Sequence, residues 1–219
     1  MSRYGGGVPK RATLIKAVVA VLGVLPAVNL WIVVHRMNPH FARVYDVRSF
    51  SLAIAETGTW AFVFILLTLA CTPLRRLTGW LWIGELRRTL GLLAFFHVVM
   101  HFLAYFVVGQ KLHFEYLLPD ALTQYSRIPG WLSLLLLIPL AVTSTDGMAR
   151  RMGGKRWKAL HRLVYVATAL AIVHLFWSEV DRSTDHHLTR NVAVPFAILM
   201  AARLVRKRTR PDSAAEGIQ

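Results

Sequence analysis

Six long apolar stretches dominate the chain, and polar residues collect between them. Stretches such as AFVFILLTLA and LSLLLLIPLA carry no polar stripe of the kind that a helix in a soluble bundle turns toward water. A helix needs about 20 mostly apolar residues to cross a membrane. The pattern therefore predicts six transmembrane helices, over residues 12–34, 50–71, 85–108, 129–144, 157–178 and 188–205.

This pattern predicts an all-α integral membrane protein built as a six-helix bundle. The transmembrane domain covers residues 12–205, between an N-terminal tail of residues 1–11 and a C-terminal tail of residues 206–219. The first apolar run is too long for the core of a typical signal peptide, so we interpret it as a retained helix. Composition agrees, because 55% of the 219 residues are hydrophobic and only 17% are charged, against about 25% charged in soluble domains.

The chain is also strongly basic, with 26 Lys and Arg against 11 Asp and Glu and a formal net charge of +15. A disordered basic tail would need low hydrophobicity, and a nucleic-acid-binding domain carries its cations on one face of a soluble fold. In the six-helix arrangement most of the cations fall instead on the side of the two termini. Because Lys and Arg mark cytoplasmic loops, we expect both termini in the cytoplasm and no nucleic-acid partner.

Histidines within the apolar stretches are the candidate functional residues. Of the nine histidines, His97 and His101 fall in the third predicted helix, and His161 and His174 fall in the fifth. An ionisable residue inside a membrane is costly to bury and is by default a functional-site hypothesis. Neutral imidazole is a good axial ligand for heme iron, so histidines on two helices predict a heme held between them. The single cysteine, Cys71, excludes a Cys-ligated iron–sulfur site.

Depth in the membrane selects His101 and His174 as the heme ligands. At 1.5 Å per residue, His101 lies about 21 Å beyond Arg87 and His174 lies about 27 Å beyond Arg156. Both histidines therefore fall in the outer half of the bilayer, on helices that run in the same direction. We expect their side chains to meet across one porphyrin.

His161 is a candidate ligand for a second heme in the inner half. It lies only about 8 Å beyond Arg156. Its partner is missing, because Arg87 or Arg88 occupies the level position on the third helix. His97 is one turn below His101 and offers at best an off-level partner. One heme is well supported by the residues, and a second stays open.

Four stretches resemble one known family. They are Thr57-Gly58 with Trp60, TPLRRL at 72–77, RRTLGLLAFFHVVMHFLAY at 87–105 and TSTDGMARRMGGKRWKALHRLVYVATALAIVHLFWS at 143–178. On these residues the chain resembles the MsrQ (YedZ) family, the heme-binding membrane subunits of the MsrPQ methionine sulfoxide reductase system. That family belongs to the ferric-reductase-like transmembrane superfamily, which includes the NADPH oxidases. The resemblance covers essentially the whole chain.

The resemblance implies a membrane b-type cytochrome in the bacterial inner membrane. It places the family's heme-associated histidines on His101, His161 and His174. It implies that electrons come from the quinone pool and pass through heme b to a periplasmic molybdopterin partner, which reduces methionine sulfoxide in oxidised proteins. FMN is implied by the resemblance alone. The chain would then be the electron-transfer subunit of an oxidoreductase and not itself the reductase.

Arginines at the inner ends of two helices are the candidate residues for an anionic cofactor. They are Arg75, Arg76, Arg87 and Arg88, and the cofactor would be a quinone or FMN; for most of the inner cations, contact with membrane lipids is sufficient explanation. Two alternatives stay open. The first is a ferric-reductase-like electron carrier with another donor or acceptor, and the second is a heme-free transporter or membrane anchor.

Overall fold

The computed structural model of the chain describes residues 10–37, 47–110, 112–181 and 186–208. These residues are all-helical and form no strand. A π-helical turn at Tyr105–Gly109 directly follows the third helix. The helices are α1 (Lys10–Met37), α2 (Val47–Thr78), α3 (Leu81–Ala104), α4 (Phe114–Thr123), α5 (Ile128–Val142), α6 (Asp146–Met152), α7 (Gly154–Leu160), α8 (Leu163–Asp181) and α9 (His187–Arg208).

Several of these helices are long and apolar enough to cross a membrane. Four such stretches occur among the described residues, at Thr13–Ile32, Leu52–Thr78, Leu81–Val107 and Gly154–Val180. A fifth arises if α4 and α5 are counted together. The prediction of an all-α membrane protein is confirmed. The last predicted helix does form, as α9, but it falls outside this set and carries Arg190 and Arg203 within its length.

The fourth predicted span has a feature that the apolar pattern did not predict. The span itself forms as α5, but the short helix α4 precedes it and meets it at a bend of 116°. The apolar side chains Phe114, Leu118 and Leu122 of α4 are exposed. A short helix with one apolar face is suited to lie along a membrane surface.

The helices pack as two pairs joined at the centre. In one pair α2 lies along α3, in the other α5 lies along α8, and contacts between α3 and α5 join them. Ser133 on α5 donates a hydrogen bond of 2.9 Å to the carbonyl of Ala167 on α8, as small polar residues do between membrane helices. The buried core consists of Phe64, Ile65, Leu69, Cys71, Ile83, Leu90, Leu93, Ala94, Leu137, Leu140, Val164 and Ala167.

The last helix is fastened to the bundle by an arginine. The Arg203 guanidinium on α9 donates to the Tyr165 hydroxyl on α8 and to the Leu69 carbonyl on α2. It also lies 5.0 Å from the centre of the Tyr165 ring. An arginine can make these contacts at once because its planar group carries five donors and stacks on aromatic faces. Arg203 therefore ties α9 to both helix pairs.

The fifth predicted span is interrupted at the position of a candidate ligand. The sequence pattern predicts one helix over residues 157–178, but the structure divides it into α7 and α8 at a turn formed by His161 and Arg162. The interruption places His161 at the C-terminal end of α7.

Candidate functional site

The structure brings His101 and His174 together at the predicted outer site. His101 lies on α3 and His174 lies on α8, and their ring centroids are 6.2 Å apart. The ring planes are nearly perpendicular, at 82°. Two imidazoles from different helices therefore lie close together in an edge-on arrangement.

Backbone carbonyl groups fix the tautomer of both rings. Nδ1 of His101 is 3.0 Å from the carbonyl oxygen of Ile54 on α2, and Nδ1 of His174 contacts the carbonyl oxygen of Ser126 before α5. A carbonyl oxygen has no proton, so each Nδ1 must donate the hydrogen. The lone pair of each ring then resides on Nε2. Metal-binding histidines are oriented in this way by a hydrogen bond from the other ring nitrogen.

Glycines make room for both histidines against the neighbouring helices. A Cβ atom added at Gly58 on α2 would lie 3.2 Å from Nδ1 of His101. A Cβ atom added at Gly130 on α5 would lie 2.9 Å from Nδ1 of His174. Each ring thus packs on a bare stretch of backbone. Gly130, Ile54 and Ser126 had no role in the sequence interpretation, because a backbone carbonyl or a missing side chain carries no chemical signature.

The spacing of the two rings fits axial ligation of a heme iron. Two iron–nitrogen bonds of about 2 Å and two ring radii of about 1.2 Å would separate the centroids by roughly 6.4 Å, close to the observed 6.2 Å. The two imidazoles would be the protein ligands of a heme bound between them. No cluster of three or more His, Cys, Asp or Glu suited to a bare metal ion occurs in the described part of the chain.

A cavity of about 570 Å³ lies at the end of the bundle where α6 and α7 join α5 to α8, which is the end predicted to be the inner one. It is bounded by residues of α1, α2, α3, α5, α6, α7 and α8, and of the turns beside them. Ligand pockets of proteins commonly have volumes of roughly 300–1,000 Å³. The polar and aromatic side chains that line this cavity are Lys16, Thr68, Glu85, Arg87, Arg88, Thr89, Phe95, Ser144, Asp146, Trp157 and His161.

His161 is held in the wall of this inner cavity. Its ring stacks on Trp157, with centroids 4.0 Å apart. Its Nε2 is 3.2 Å from the hydroxyl of Thr143, and that hydroxyl donates its own hydrogen to the carbonyl of Pro139. The hydroxyl must therefore accept from Nε2, which leaves the lone pair on Nδ1. The tautomer of His161 is opposite to that of His101 and His174.

The cations around the cavity differ in their partners. Arg88 forms an ion pair of 2.6 Å with Asp146, and Lys16 forms one of 2.8 Å with Glu85. The hydrogen bond from Arg88, together with its charge, lowers the pKa of the Asp146 carboxyl below its usual range. Arg87 lines the same cavity and makes no ion pair within the described residues. Its positive charge is available to an anionic ligand.

The four arginines selected from the sequence do not form a single cluster. Arg87 and Arg88 line the cavity, whereas Arg75 and Arg76 are exposed near the end of α2 and are not among its lining residues. The Arg75 side chain lies over Gly84, whose added Cβ atom would be 3.0 Å from it. The cavity therefore combines two arginines with His161.

His97 is buried at the contact between α1 and α3. Its Nε2 donates to the carbonyl of Gly23 on α1 at 3.0 Å. The ring is fully buried and stacks on Phe64, with centroids 5.2 Å apart. It does not line the inner cavity. The structure thus gives His97 a packing contact and does not bring it to His161.

Comparison with known proteins places the chain in a class of transmembrane proteins. The family described as ferric reductase like transmembrane component matches residues 57–172. That segment holds His101, His161 and most residues of the inner cavity, and it ends two residues before His174.

Curated relatives narrow this class. A protein from Herminiimonas arsenicoxydans is 38% identical over 80% of this chain and 77% of its own length. Proteins from Ralstonia nicotianae and Rhizobium meliloti are 39% and 45% identical, covering 73% and 69% of this chain and 73% and 68% of their own lengths. Each is named a protein-methionine-sulfoxide reductase heme-binding subunit, MsrQ. The chain belongs to the MsrQ family of ferric-reductase-like transmembrane proteins.

Proposed function

We propose that the chain is a membrane b-type cytochrome that binds heme between His101 and His174. The observation that carries this proposal is the close pair of imidazoles, 6.2 Å apart, with Nδ1 of each bound to a backbone carbonyl. One-electron reduction and oxidation of iron is the chemistry that a bound heme supplies. The two histidines hold it in place, and the surrounding helices keep water away from it.

The orientation follows from the distribution of charge. Arg75, Arg76, Arg87 and Arg88 lie at the junction of α2 and α3, and further cations lie on α6 and α7. Such clusters mark the cytoplasmic side. With α5 and α9 as the fourth and sixth spans, the bundle has six spans and both termini in the cytoplasm. His101 and His174 then lie toward the periplasmic face of the bacterial inner membrane, with Arg75 and Arg76 near lipid headgroups.

The acceptor is a periplasmic molybdopterin reductase of the MsrP type, and the donor is the quinone pool. The names of the relatives as subunits of a methionine sulfoxide reductase support this assignment. Oxidation of one quinol releases two electrons and two protons. Reduction of one methionine sulfoxide to methionine and water takes up two electrons and two protons. This chain transfers the electrons, and the partner carries out the reduction.

The inner cavity is the site at which the electrons enter. Arg87 provides an uncompensated cation there, Phe95 and Trp157 provide aromatic surface, and His161 provides a ring nitrogen that can accept a hydrogen bond or a proton. These groups suit a planar redox molecule with an anionic or oxygen-bearing edge, which is a quinone or FMN. A second heme bound by His161 is the alternative. It would need a second ligand that is not one of the histidines in the described residues.

Reconstitution tests this function directly. The purified protein in liposomes with quinol should develop the absorbance of reduced heme b. Addition of the oxidised molybdopterin partner with methionine sulfoxide should return that absorbance to the oxidised state. If quinol leaves the heme oxidised while a reduced flavin reduces it, the donor assignment is wrong. If no heme copurifies with the protein, the cytochrome assignment itself is wrong.

A further inference from the structure

The segment that accepts the hydrogen bond from His174 is a turn and not part of a helix. The carbonyl that accepts from Nδ1 of His174 belongs to Ser126, within the turn of residues 125–127 between α4 and α5. Ser126 is buried, with 6% of its surface exposed. A turn lacks the repeated hydrogen bonds that fix a helix, so other contacts must hold this carbonyl in place.

Three side chains connect this turn to the helix of the other histidine. Arg127, next to Ser126, forms an ion pair with Asp120 on α4. Asp120 also accepts from the hydroxyl of Tyr105, and the Arg127 guanidinium lies 5.5 Å from the centre of the Tyr105 ring. Tyr105 follows His101 by one helical turn and begins the π-helical segment. We call Tyr105, Asp120 and Arg127 the outer latch.

The residues of the outer latch are partly shielded from solvent. The Asp120 and Arg127 side chains are 20% and 34% exposed, so their ion pair is shielded more than a surface pair. Gln110 donates to the Tyr105 hydroxyl at 3.0 Å, which directs the hydroxyl hydrogen toward Asp120. Interruptions by π-helix frequently occur at functional sites. His101 lies one helical turn before Tyr105, and His174 is hydrogen-bonded to Ser126, the residue before Arg127.

We propose that the outer latch sets the relative orientation of His101 and His174, so that Tyr105, Asp120 and Arg127 are positioning residues for the outer heme. The inference rests on the proposed function, because it assumes that this histidine pair binds heme. The latch acts through the Ser126 carbonyl on one side and through the end of α3 on the other. It contacts neither ring directly and forms no bond to iron.

The electron paramagnetic resonance spectrum of the oxidised protein tests this proposal. The anisotropy of a low-spin ferric heme signal depends on the angle between its two axial imidazole planes, and the redox potential depends on nearby charge. We expect Tyr105→Phe, Asp120→Asn and Arg127→Gln to retain heme but to broaden the signal and move its largest g value in the same direction. Arg127→Lys, which keeps the cation, should restore the signal in part.

The charge changes separate positioning from simple electrostatics. Oxidation adds a positive charge to the heme, so loss of the nearby Arg127 cation favours the oxidised state and should lower the redox potential. Asp120→Asn removes a nearby negative charge and should raise it. A purely electrostatic role therefore gives opposite potential shifts and an unchanged resonance signal. That result, at full heme content, would overturn the proposal. Tyr105→Phe is neutral and retains the ring, so it decides the question if Arg127→Gln fails to fold.

Glu115→Gln is the matched control. Glu115 lies on the same short helix as Asp120, pairs with His113 at 2.9 Å and is exposed. Its substitution changes the charge by the same amount as Asp120→Asn but leaves the latch intact, so the resonance signal should equal that of the unmodified protein. Heme content of the unmodified protein distinguishes failure of the proposed function from failure of the latch proposal. If it binds no heme, the proposed function fails, whereas heme with unaltered latch variants refutes only the latch.

Discussion

The outer histidine pair and the inner cavity differ in symmetry, although α3 and α8 contribute residues to both. In the outer pair, each ring comes from its own helix, donates from Nδ1 to a carbonyl and rests on a glycine. In the inner cavity, His161 stands alone, donates from Nε2 to Thr143 and shares the wall with Arg87 and Arg88.

This difference indicates two kinds of ligand. Two matched imidazoles suit a metal that needs a donor on each side. A single imidazole beside an uncompensated guanidinium suits an organic molecule with an anionic or hydrogen-bonding edge. In the proposed function the bundle separates a fixed heme site from a site for an exchangeable donor, so variants at the two sites should have different effects.

The largest effect is expected at the outer pair. His101→Ala or His174→Ala removes one of the two axial ligands, so the reduced-minus-oxidised b-type spectrum of the outer heme should disappear. His97→Ala is the control, because His97 donates to Gly23 and packs on Phe64; it should retain most of the spectrum while lowering stability. An intact spectrum in the His174 variant would contradict the pairing.

A smaller loss is expected from crowding the same rings. An added Cβ at Gly130 would lie 2.9 Å from Nδ1 and 3.0 Å from Cγ of His174, and both atoms belong to the fixed part of the ring. Gly130→Ala should weaken heme affinity by roughly 10- to 100-fold, as loss of supporting contacts does at metal sites. Gly58→Ala, with 3.2 Å to His101, should have the smaller effect in a heme-titration assay. Equal affinity in all three proteins would show that the glycines do not shape the site.

Variants at the inner cavity should change the rate of heme reduction by quinol and leave the content of outer heme unchanged. Arg87→Gln removes a charge-assisted bond of about 1.5–3 kcal/mol to an anionic or polar donor. The concentration of quinol needed for half-maximal heme reduction should therefore rise by about tenfold or more. Arg76→Gln makes the same charge change at an exposed position outside the cavity and should leave the rate unchanged. Equal rates in both variants would remove Arg87 from the proposed site.

The smallest effect concerns the ion pair of Arg88 and Asp146. Because Arg88 lowers the pKa of this carboxyl, the stabilising contribution of the pair is present above the ordinary Asp pKa of about 3.9 and is lost as pH falls through the lower folded value. Quinol-dependent heme reduction by the unmodified protein should thus show no transition from Asp146 between about pH 5 and 8. A transition in this interval that disappears in Asp146→Asn would contradict the assignment.

The sequence was sufficient to pair His101 with His174, because helix rise converts residue number into depth and both spans run in the same direction. It did not predict the break at His161, since the surrounding residues continue an apolar helical pattern. Nor did it predict that Arg75 and Arg76 would lie outside the lining of the cavity that Arg87 and Arg88 line. Such features depend on how helices meet, which local pattern does not encode.

The supporting contacts were still less accessible from the sequence. The hydrogen-bond acceptors of the two rings are main-chain carbonyls of Ile54 and Ser126, and any residue type supplies a carbonyl. The short helix α4 lies in the segment between the third and fourth predicted spans, where the apolar pattern predicts no helix. The ion pair between Asp120 and Arg127 can be linked to His174 only after the structure shows the turn beside that ring.

The central claim is that His101 and His174 are the two axial ligands of one heme. Near-infrared magnetic circular dichroism of the oxidised protein, combined with heme quantification per chain, tests it most directly, because the charge-transfer band of ferric low-spin heme identifies the axial ligand pair. The account predicts at least one heme per chain with bis-imidazole ligation. Absence of heme, or a ligand pair other than two imidazoles at the heme lost in His101→Ala, would contradict it.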